Sequence, residues 1–309
     1  MSRSQPPWYP PPGPDLRNAD EDQVVRWIGG WLMDAAPEGW RRIDMTARVA
    51  STLEEISLAV VMPEGGPARM EPPPDVSPLL FELRQKKYVR GRGAWLSLRL
   101  IIDPDGAYCV HYNFDLDPQW DPPVEIEVFD HDFESFPREE EWIPAWYGER
   151  LKGGTGGKQT PDEPNALLQR FADELKFALP PGWDYIQLQF RAVGDHEESG
   201  AVVHSITGTV YPWTPPEQVL EPLRRHRAAS TSDDRGTWVS LKYEVRFPDQ
   251  IKAQFNSNED PGFRRPPPTG AYAEELRRYP RSERRTPDWL RRGAEGIEGV
   301  EGAEGAEGS

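Results

Sequence analysis

One spacing governs this sequence: Trp40 and Trp146 recur as Trp183 and Trp289, each 143 residues further on, and the register holds at the landmarks between them. Setting each residue over the one 143 positions later pairs Pro37 and Gly39 with Pro180 and Gly182, and Arg48 and Glu54-Glu55 with Arg191 and Glu197-Glu198. Further along, Pro72-Pro73 falls over Pro215-Pro216, and Arg92-Gly93-x-Trp95-x-Ser97-Leu98 over Arg235-Gly236-x-Trp238-x-Ser240-Leu241. Asn113, Asp117-Pro118, Pro137-Arg138 and Pro144-x-Trp146 then meet Asn256, Asp260-Pro261, Pro280-Arg281 and Pro287-x-Trp289. Matching over so long a stretch without a gap is the mark of one folding unit laid down twice. The kept residues are mostly Trp, Gly, Pro and Leu, so they speak of cores and turns more than of chemistry.

Each copy opens on an amphipathic helix, with Val24, Val25, Ile28, Trp31 and Leu32 in one and Leu167, Leu168, Phe171 and Leu175 in the other at three- and four-residue steps. Pro37-Glu38-Gly39 and Pro180-Pro181-Gly182 break those helices. Two alternating runs follow, Trp40 to Val49 and Glu55 to Met62, matched by Tyr185 to Phe190 and Ala201 to Val210. After a Pro-rich turn come a second helix over 76–88, strands over 95–102 and 108–114 joined at Asp103-Pro104-Asp105-Gly106, and a short helix over 129–136. The expected fold class is α+β: two tandem α-β-β-α-β-β-α modules, each an antiparallel sheet of about four strands with helices packed on one face. The first module covers 19–150 and the second, diverged module 165–292. A Gly/Pro linker spans 151–164, between a Pro-rich disordered arm over 1–18 and a Glu/Gly disordered tail over 293–309.

At 309 residues the chain is about twice the usual domain size, which agrees with two modules. Its lone Cys109 permits no internal disulfide and reads as a small buried hydrophobe. The N-terminal stretch lacks the cationic start and apolar run of a secretory signal, and no later apolar run approaches ~20 residues. A soluble, cytoplasmic protein is expected. A formal net charge of -16 repels phosphate backbones and anionic lipid, so neither nucleic acid nor membrane is an expected partner. The same charge accelerates encounter with a basic protein.

Chemistry is hard to find. No two of the five His stand at the i, i+4 spacing that sets up zinc binding. Asp130-His131-Asp132 points its side chains apart on a helix, so no metal is expected. Gly153-Gly154-Thr155-Gly156-Gly157-Lys158-Gln159 lacks both the first glycine and the final Ser or Thr of a phosphate loop, and it follows no strand. No nucleophile elbow occurs, and no Ser or Cys stands in a triad context. The expectation is therefore a non-enzyme with no catalytic residue, cofactor or small-molecule substrate.

Charge is what separates the copies. Between Asp115 and Glu141 lie eleven acids and one base, whereas the matching stretch from Asn258 to Arg284 carries five acids and six bases. One reading is that the two charged surfaces attract each other or are merely solvated. The other is that the first copy offers a partner-binding face made of Asp115, Asp117, Asp121, Glu125, Asp130 and Asp132, with Phe114, Trp120 and Phe129 as aromatic anchors.

The strand pair Trp95-Leu96-Ser97-Leu98, Asp103-Pro104-Asp105-Gly106-x-Tyr108 and Tyr112-Asn113-Phe114-Asp115, followed by Pro137-Arg138, resembles the YezG-like immunity proteins. The resemblance is best in the C-terminal half of the first copy. The second copy departs from it, with Phe247-Pro248-Asp249-Gln250 at the turn and Asn256-Ser257-Asn258 in place of the aromatic–acid pair. What it implies is a small α+β antitoxin that neutralises a cognate polymorphic (LXG-type) toxin, often a nuclease, by occluding a basic active surface. The tandem arrangement departs from that family's single module. Two other classes stay open: an accessory or targeting module of a toxin system, and a hydrolase using the acids of the first copy.

Overall fold

The first helix, α1 (Glu21–Ala35), begins at a capping box: Asp20 Oδ1 accepts from the Gln23 backbone N–H (2.7 Å) and Gln23 Oε1 accepts from that of Asp20 (2.8 Å). It stops one residue before Pro37, whose ring disfavours helical backbone at the preceding position. This computed structural model describes residues 16–154, 156–159 and 161–296, so the Pro-rich arm as far as residue 15 and the tail from residue 297 lie outside the described residues. The first copy continues through β1 (Arg42–Ala50), β2 (Leu53–Val61), β3 (Ala68–Met70), α2 (Val76–Lys86), β4 (Ser97–Ile102), β5 (Tyr108–Asn113), α3 (Ile126–Ser135), a 3-10 turn (Glu140–Trp142) and α4 (Ala145–Glu149). The second repeats the order with α5 (Pro164–Ala178), β6 (Trp183–Val193), β7 (His196–Ser205), β8 (Val210–Trp213), α6 (Glu217–Ala229), β9 (Ser240–Arg246), β10 (Gln250–Asn256), α7 (Thr269–Arg278), a 3-10 turn (Glu283–Arg285) and α8 (Asp288–Glu295).

The fold is α+β, with eight α-helices and two antiparallel five-stranded sheets among the described residues. The sheets run β3-β2-β1-β4-β5 and β8-β7-β6-β9-β10, the same order in both. Register agrees too: Ile43 faces Ile102 across β1 and β4, and Ile186 faces Val245 across β6 and β9, 143 residues on at both positions. Two compact units result. The first takes in the described residues through Pro161 with Asp173–Trp183 and Ser205–Thr209, and the second takes in Asp162–Ala172, Asp184–His204 and the described residues from Val210.

Three features depart from the expected pattern. Each sheet has five strands, because short edge strands β3 and β8 form inside stretches whose prolines suggest only a turn. Pro212 sits within β8, an edge position where a missing N–H breaks no ladder. Each copy also closes with an extra helix, α4 or α8, which carries Trp146 or Trp289. Finally, α8 runs to Glu295, three residues into the stretch expected to be tail, and Gly293 lies so close to the Tyr272 ring that a Cβ would come within 2.5 Å of it.

In the first unit, α1 and α2 cover one face of the sheet, burying Val24, Ile28, Leu32, Leu80 and Leu83 against Ile43, Met45, Leu98 and Leu100, with Trp95 fully enclosed. The opposite face holds a buried pair in which Arg99 grips Asp44 through two hydrogen bonds (2.9 and 2.7 Å). A satellite cluster of Ala50, Leu96, Trp120, Phe129, Ile143, Tyr147 and Leu151 seats α3 and α4 on the sheet. The second unit has its counterpart in Val193, Ala271 and Leu290, packed by Phe263, Tyr272 and Trp289.

A buried ion pair ties these layers together in each copy. Arg84 of α2, 1% exposed, donates Nε to the Trp95 carbonyl (2.8 Å) and its two terminal nitrogens to Asp132 of α3 (2.6 and 2.9 Å). Asp132 Oδ1 also accepts from the Ser51 N–H in the β1–β2 turn (2.7 Å). In the second unit Arg227 donates to the Trp238 carbonyl (2.9 Å) and to Glu275 of α7, whose Oε2 accepts from the Gly194 N–H (2.8 Å). Below each tryptophan, Gly93 (φ +88°) and Gly236 (φ +65°) leave no room for a Cβ, which would meet the Arg138 or Arg281 side chain at 2.7 Å. Those arginines donate to the carbonyls of Ala94 (2.7 Å) and Thr237 (2.6 Å).

Replacing Asp132 by Ala strands a buried guanidinium, and a loss of ~3–5 kcal/mol is expected in urea unfolding of the full chain. A loss below ~1 kcal/mol would show that the pair does not hold α3 in place. The same substitution at the exposed Asp121 is expected to change stability by less than ~0.5 kcal/mol.

Candidate functional site

The nine residues expected to form a partner-binding face in the first copy are not all on the surface. Asp132 (2% exposed) belongs to the ion pair with Arg84, and Phe129 (2%) and Trp120 (8%) fill the satellite cluster, so these three are internal. Spacing explains it: Phe129, Asp132, Phe133 and Phe136 recur at three and four residues and trace the inward stripe of α3. Phe114 is half-buried beneath the Arg92 guanidinium, 4.5 Å from its ring centre. Asp115 pairs with Arg92 (3.3 Å) and Asp117 with Arg150 (2.8 Å), while Asp130 accepts from the Lys152 N–H (2.9 Å). Of the nine, only Asp121 and Glu125 are exposed acids without an ion pair among the described residues.

The surface that remains is acidic all the same. Glu127 and Glu134 stand on the outer side of α3 with His131 between them at helical spacing, and Glu139 at the cap of the 3-10 turn and Glu140 and Glu141 within it follow, all exposed. None of these carboxylates is in an ion pair among the described residues. Two apolar side chains lie open among them, Ile126 (49% exposed) and Trp142 (38%). Arg92 and Lys158 hold the Trp142 ring from 5.3 and 5.6 Å.

The matching stretch of the second unit carries six bases, and two of them are answered locally. Arg277 and Arg278 both bond Glu274, and these bonds, Arg277's first, hold its carboxyl down at about 2. Arg278 also reaches Asp195 (2.7 Å), whereas Arg264 and Arg265 donate only their backbone N–H groups to Glu198 (2.9 Å each). What the second unit has instead is an open groove of about 820 Å³. Its floor is aromatic: the rings of His226 and Phe255 stack at 5.0 Å and 9°, and Trp238 leans on both. Its rim carries Arg235, Arg284 and Arg285.

Sequence reading passed over this groove, although the repeat contains its signal. The positions matching Ser257 and Arg285 are Phe114 and Trp142, the two rings that close around Arg92 in the first copy. Losing two aromatic rings at a constant offset, one of them to a serine, marks a vacated volume.

The His226 ring is held in one tautomer, since Trp238 Nε1 donates to its Nδ1 (3.0 Å) and the proton must sit on Nε2. Burial pushes the His226 pKa below its ordinary value. The pairs at hand (Arg with carboxylate, His with Trp) orient and enclose, and no nucleophile–base–orienter chain is assembled among them. A search of protein-family models finds no match to this chain, and none of the curated proteins matches it either.

A His whose folded pKa is depressed contributes fully above its unfolded value of about 6.5, and the contribution falls away as pH drops through that value. Unfolding stability of the full chain is therefore expected to decline more steeply between pH 7 and pH 5 than that of His226→Leu, which installs the first copy's residue at this position (Leu83). Equal slopes would show that His226 does not titrate with folding.

Proposed function

We propose that this chain is a non-enzymatic immunity protein that acts in the cytoplasm, where it binds and neutralises a cognate, basic, nuclease-type polymorphic toxin by covering its active surface. The observation that carries this reading is the set of unanswered carboxylates around α3 in the first unit. A folded protein gains nothing in stability from crowding like charges on one helix and the turns beside it, and the repulsion is a standing cost. A cationic partner relieves that repulsion and is also drawn in faster by it.

The likeness of the strand pair and its turn to YezG-like immunity proteins supports the same reading. The contacting residues are revised accordingly: Asp121, Glu125, Glu127, Glu134 and Glu139–Glu141 supply the charge, and Trp142, half-exposed amid three glutamates, replaces Phe129 and Trp120 as the aromatic anchor. Asp115 and Asp117 serve chiefly to order the loop after β5 through Arg92 and Arg150.

The test uses the tagged full chain as bait in cells of its own source, followed by expression of each captured protein alone. A captured protein that arrests growth, with growth restored by co-expressing this chain, is the expected result. Glu125→Lys/Glu127→Lys/Glu134→Lys is expected to fold normally and weaken capture by at least tenfold at low salt, and Trp142→Ala to cost ~2 kcal/mol of binding. The proposal is abandoned if no captured protein is toxic, or if the charge-reversed chain protects as well as the original.

A further inference from the structure

The two copies answer the same structural question differently at one place, the edge strand beside the conserved tryptophan. In the first unit, Tyr108, Val110 and Tyr112 of β5 form an apolar row on the helix-bearing face of the sheet and pack on its core, as does Leu16. The acidic first turn of α1 lies beside that row, with Asp22 acting on Tyr108 and Glu21 on Tyr112, and Glu21 pairs with Lys87, whose ammonium stands 5.1 Å from the Tyr112 ring. The first unit thus packs this row beneath a short acidic, apolar-bearing piece of its own chain.

The second unit presents the same row uncovered. Ile251, Ala253 and Phe255 of β10 occupy the matching positions, opposite the buried Val245, Tyr243 and Leu241, and all three are exposed (Ile251 46%, Phe255 39%). β10 is the terminal strand of its sheet, hydrogen-bonded to β9 on one side only among the described residues. The strand leads directly into the groove, because Phe255, Ser257 and Asn258 at its end form one wall.

Charge in the groove is unbalanced. Asp234 pairs with Arg285 (3.2 Å) and approaches Arg235 (3.9 Å), while Arg284 has no ion pair among the described residues. Behind the wall, under Gly236, Arg281 has Nε and Nη1 buried with no hydrogen-bond partner. An exposed strand edge, an apolar row and a groove whose three guanidinium groups share the single carboxylate of Asp234 together match one kind of ligand.

We propose that the second unit captures an acidic, extended segment of a partner protein, which pairs along the free edge of β10, lays an apolar side chain on Ile251 and Phe255, and sets carboxylates against Arg235, Arg284 and Arg285. Main-chain pairing with the edge supplies affinity that is indifferent to sequence, and the groove at the end of the strand supplies the selection. This site is separate from the acidic face of the first unit and does not depend on it.

A displayed library of random twelve-residue peptides, panned on the full-length chain, tests the assignment. Enriched peptides are expected to carry Asp or Glu within two residues of an aromatic or large aliphatic residue, and one such peptide, fluorescein-labelled, to bind by anisotropy with an affinity that falls as salt rises. Arg284→Glu/Arg285→Glu alters exposed side chains and is expected to weaken binding at least tenfold. Ser257→Phe, which restores the ring of the first copy, is expected to do the same while leaving the circular dichroism spectrum unchanged. The first unit's variant Glu125→Lys/Glu127→Lys/Glu134→Lys serves as the control that binds the peptide undiminished. The proposal is overturned if enriched peptides are no more acidic than the library, if either groove variant binds them as well as the parent, or if a single-stranded oligonucleotide displaces them at lower concentration than unlabelled peptide does. A chain shortened to end at Gly296 removes the glutamates beyond that point; a gain of binding only in that chain would assign the groove to the protein's own terminus and overturn the proposal too.

Discussion

A guanidinium buried beneath a tryptophan is the constraint on which each half of this molecule turns. Arg84 and Arg227 reach from α2 and α6 to the backbone of the residue that anchors the core, and to a carboxylate on the helix that follows the sheet. A charge so deep is tolerable only when its partner is in place, so the position of α3 or α7 is bound to that of the sheet by electrostatics as well as by apolar contact. Asp132 satisfies Arg84 with both oxygens, whereas Glu275, one methylene longer, serves Arg227 and Gly194 through Oε2 and leaves Oε1 buried without a partner. The two copies have therefore kept the arrangement while changing the side chain that completes it.

Much of this fold could be read from the residues, because the signals are local or repeated. Hairpins, turn glycines and the helix stripes obey short periods, and a constant offset lets one copy vouch for the other. What escaped was non-local. Asp132 stands in a run of acids and looks like surface until Arg84, 48 positions away, is seen beside it. Phe129 and Trp120 look like anchors for the same reason, since a stretch so acidic suggests solvent on all sides. Short edge strands such as Ala68–Met70 carry too few residues for a period to show, and they form because a neighbouring strand offers a ladder.

Once a unit is doubled, a constraint that had to be met in one chain can be met in one half and relaxed in the other. Here the relaxation is visible in charge and in volume. The first unit leaves acids unanswered around α3 and fills the space beside its conserved tryptophan with Phe114, Trp142 and Arg92. The second pairs Glu274 with Arg277 and Arg278 around α7 and empties the corresponding space, leaving Phe255 and three arginines about a groove. Neither change touches the ion pair or the glycine under the tryptophan, so each half could acquire its own surface without endangering its frame.

The locking contacts also amount to a fingerprint far sparser than overall identity. Counted from the buried tryptophan, an arginine stands eleven positions before, a glycine two before, an asparagine eighteen after, an acid thirty-seven after, an arginine forty-three after and a second tryptophan fifty-one after, identically in both copies. Each position is prescribed by an atom it must reach or make room for, which explains why these intervals hold while many others have changed. The doubling is thus written in a few obligatory intervals more than in overall likeness.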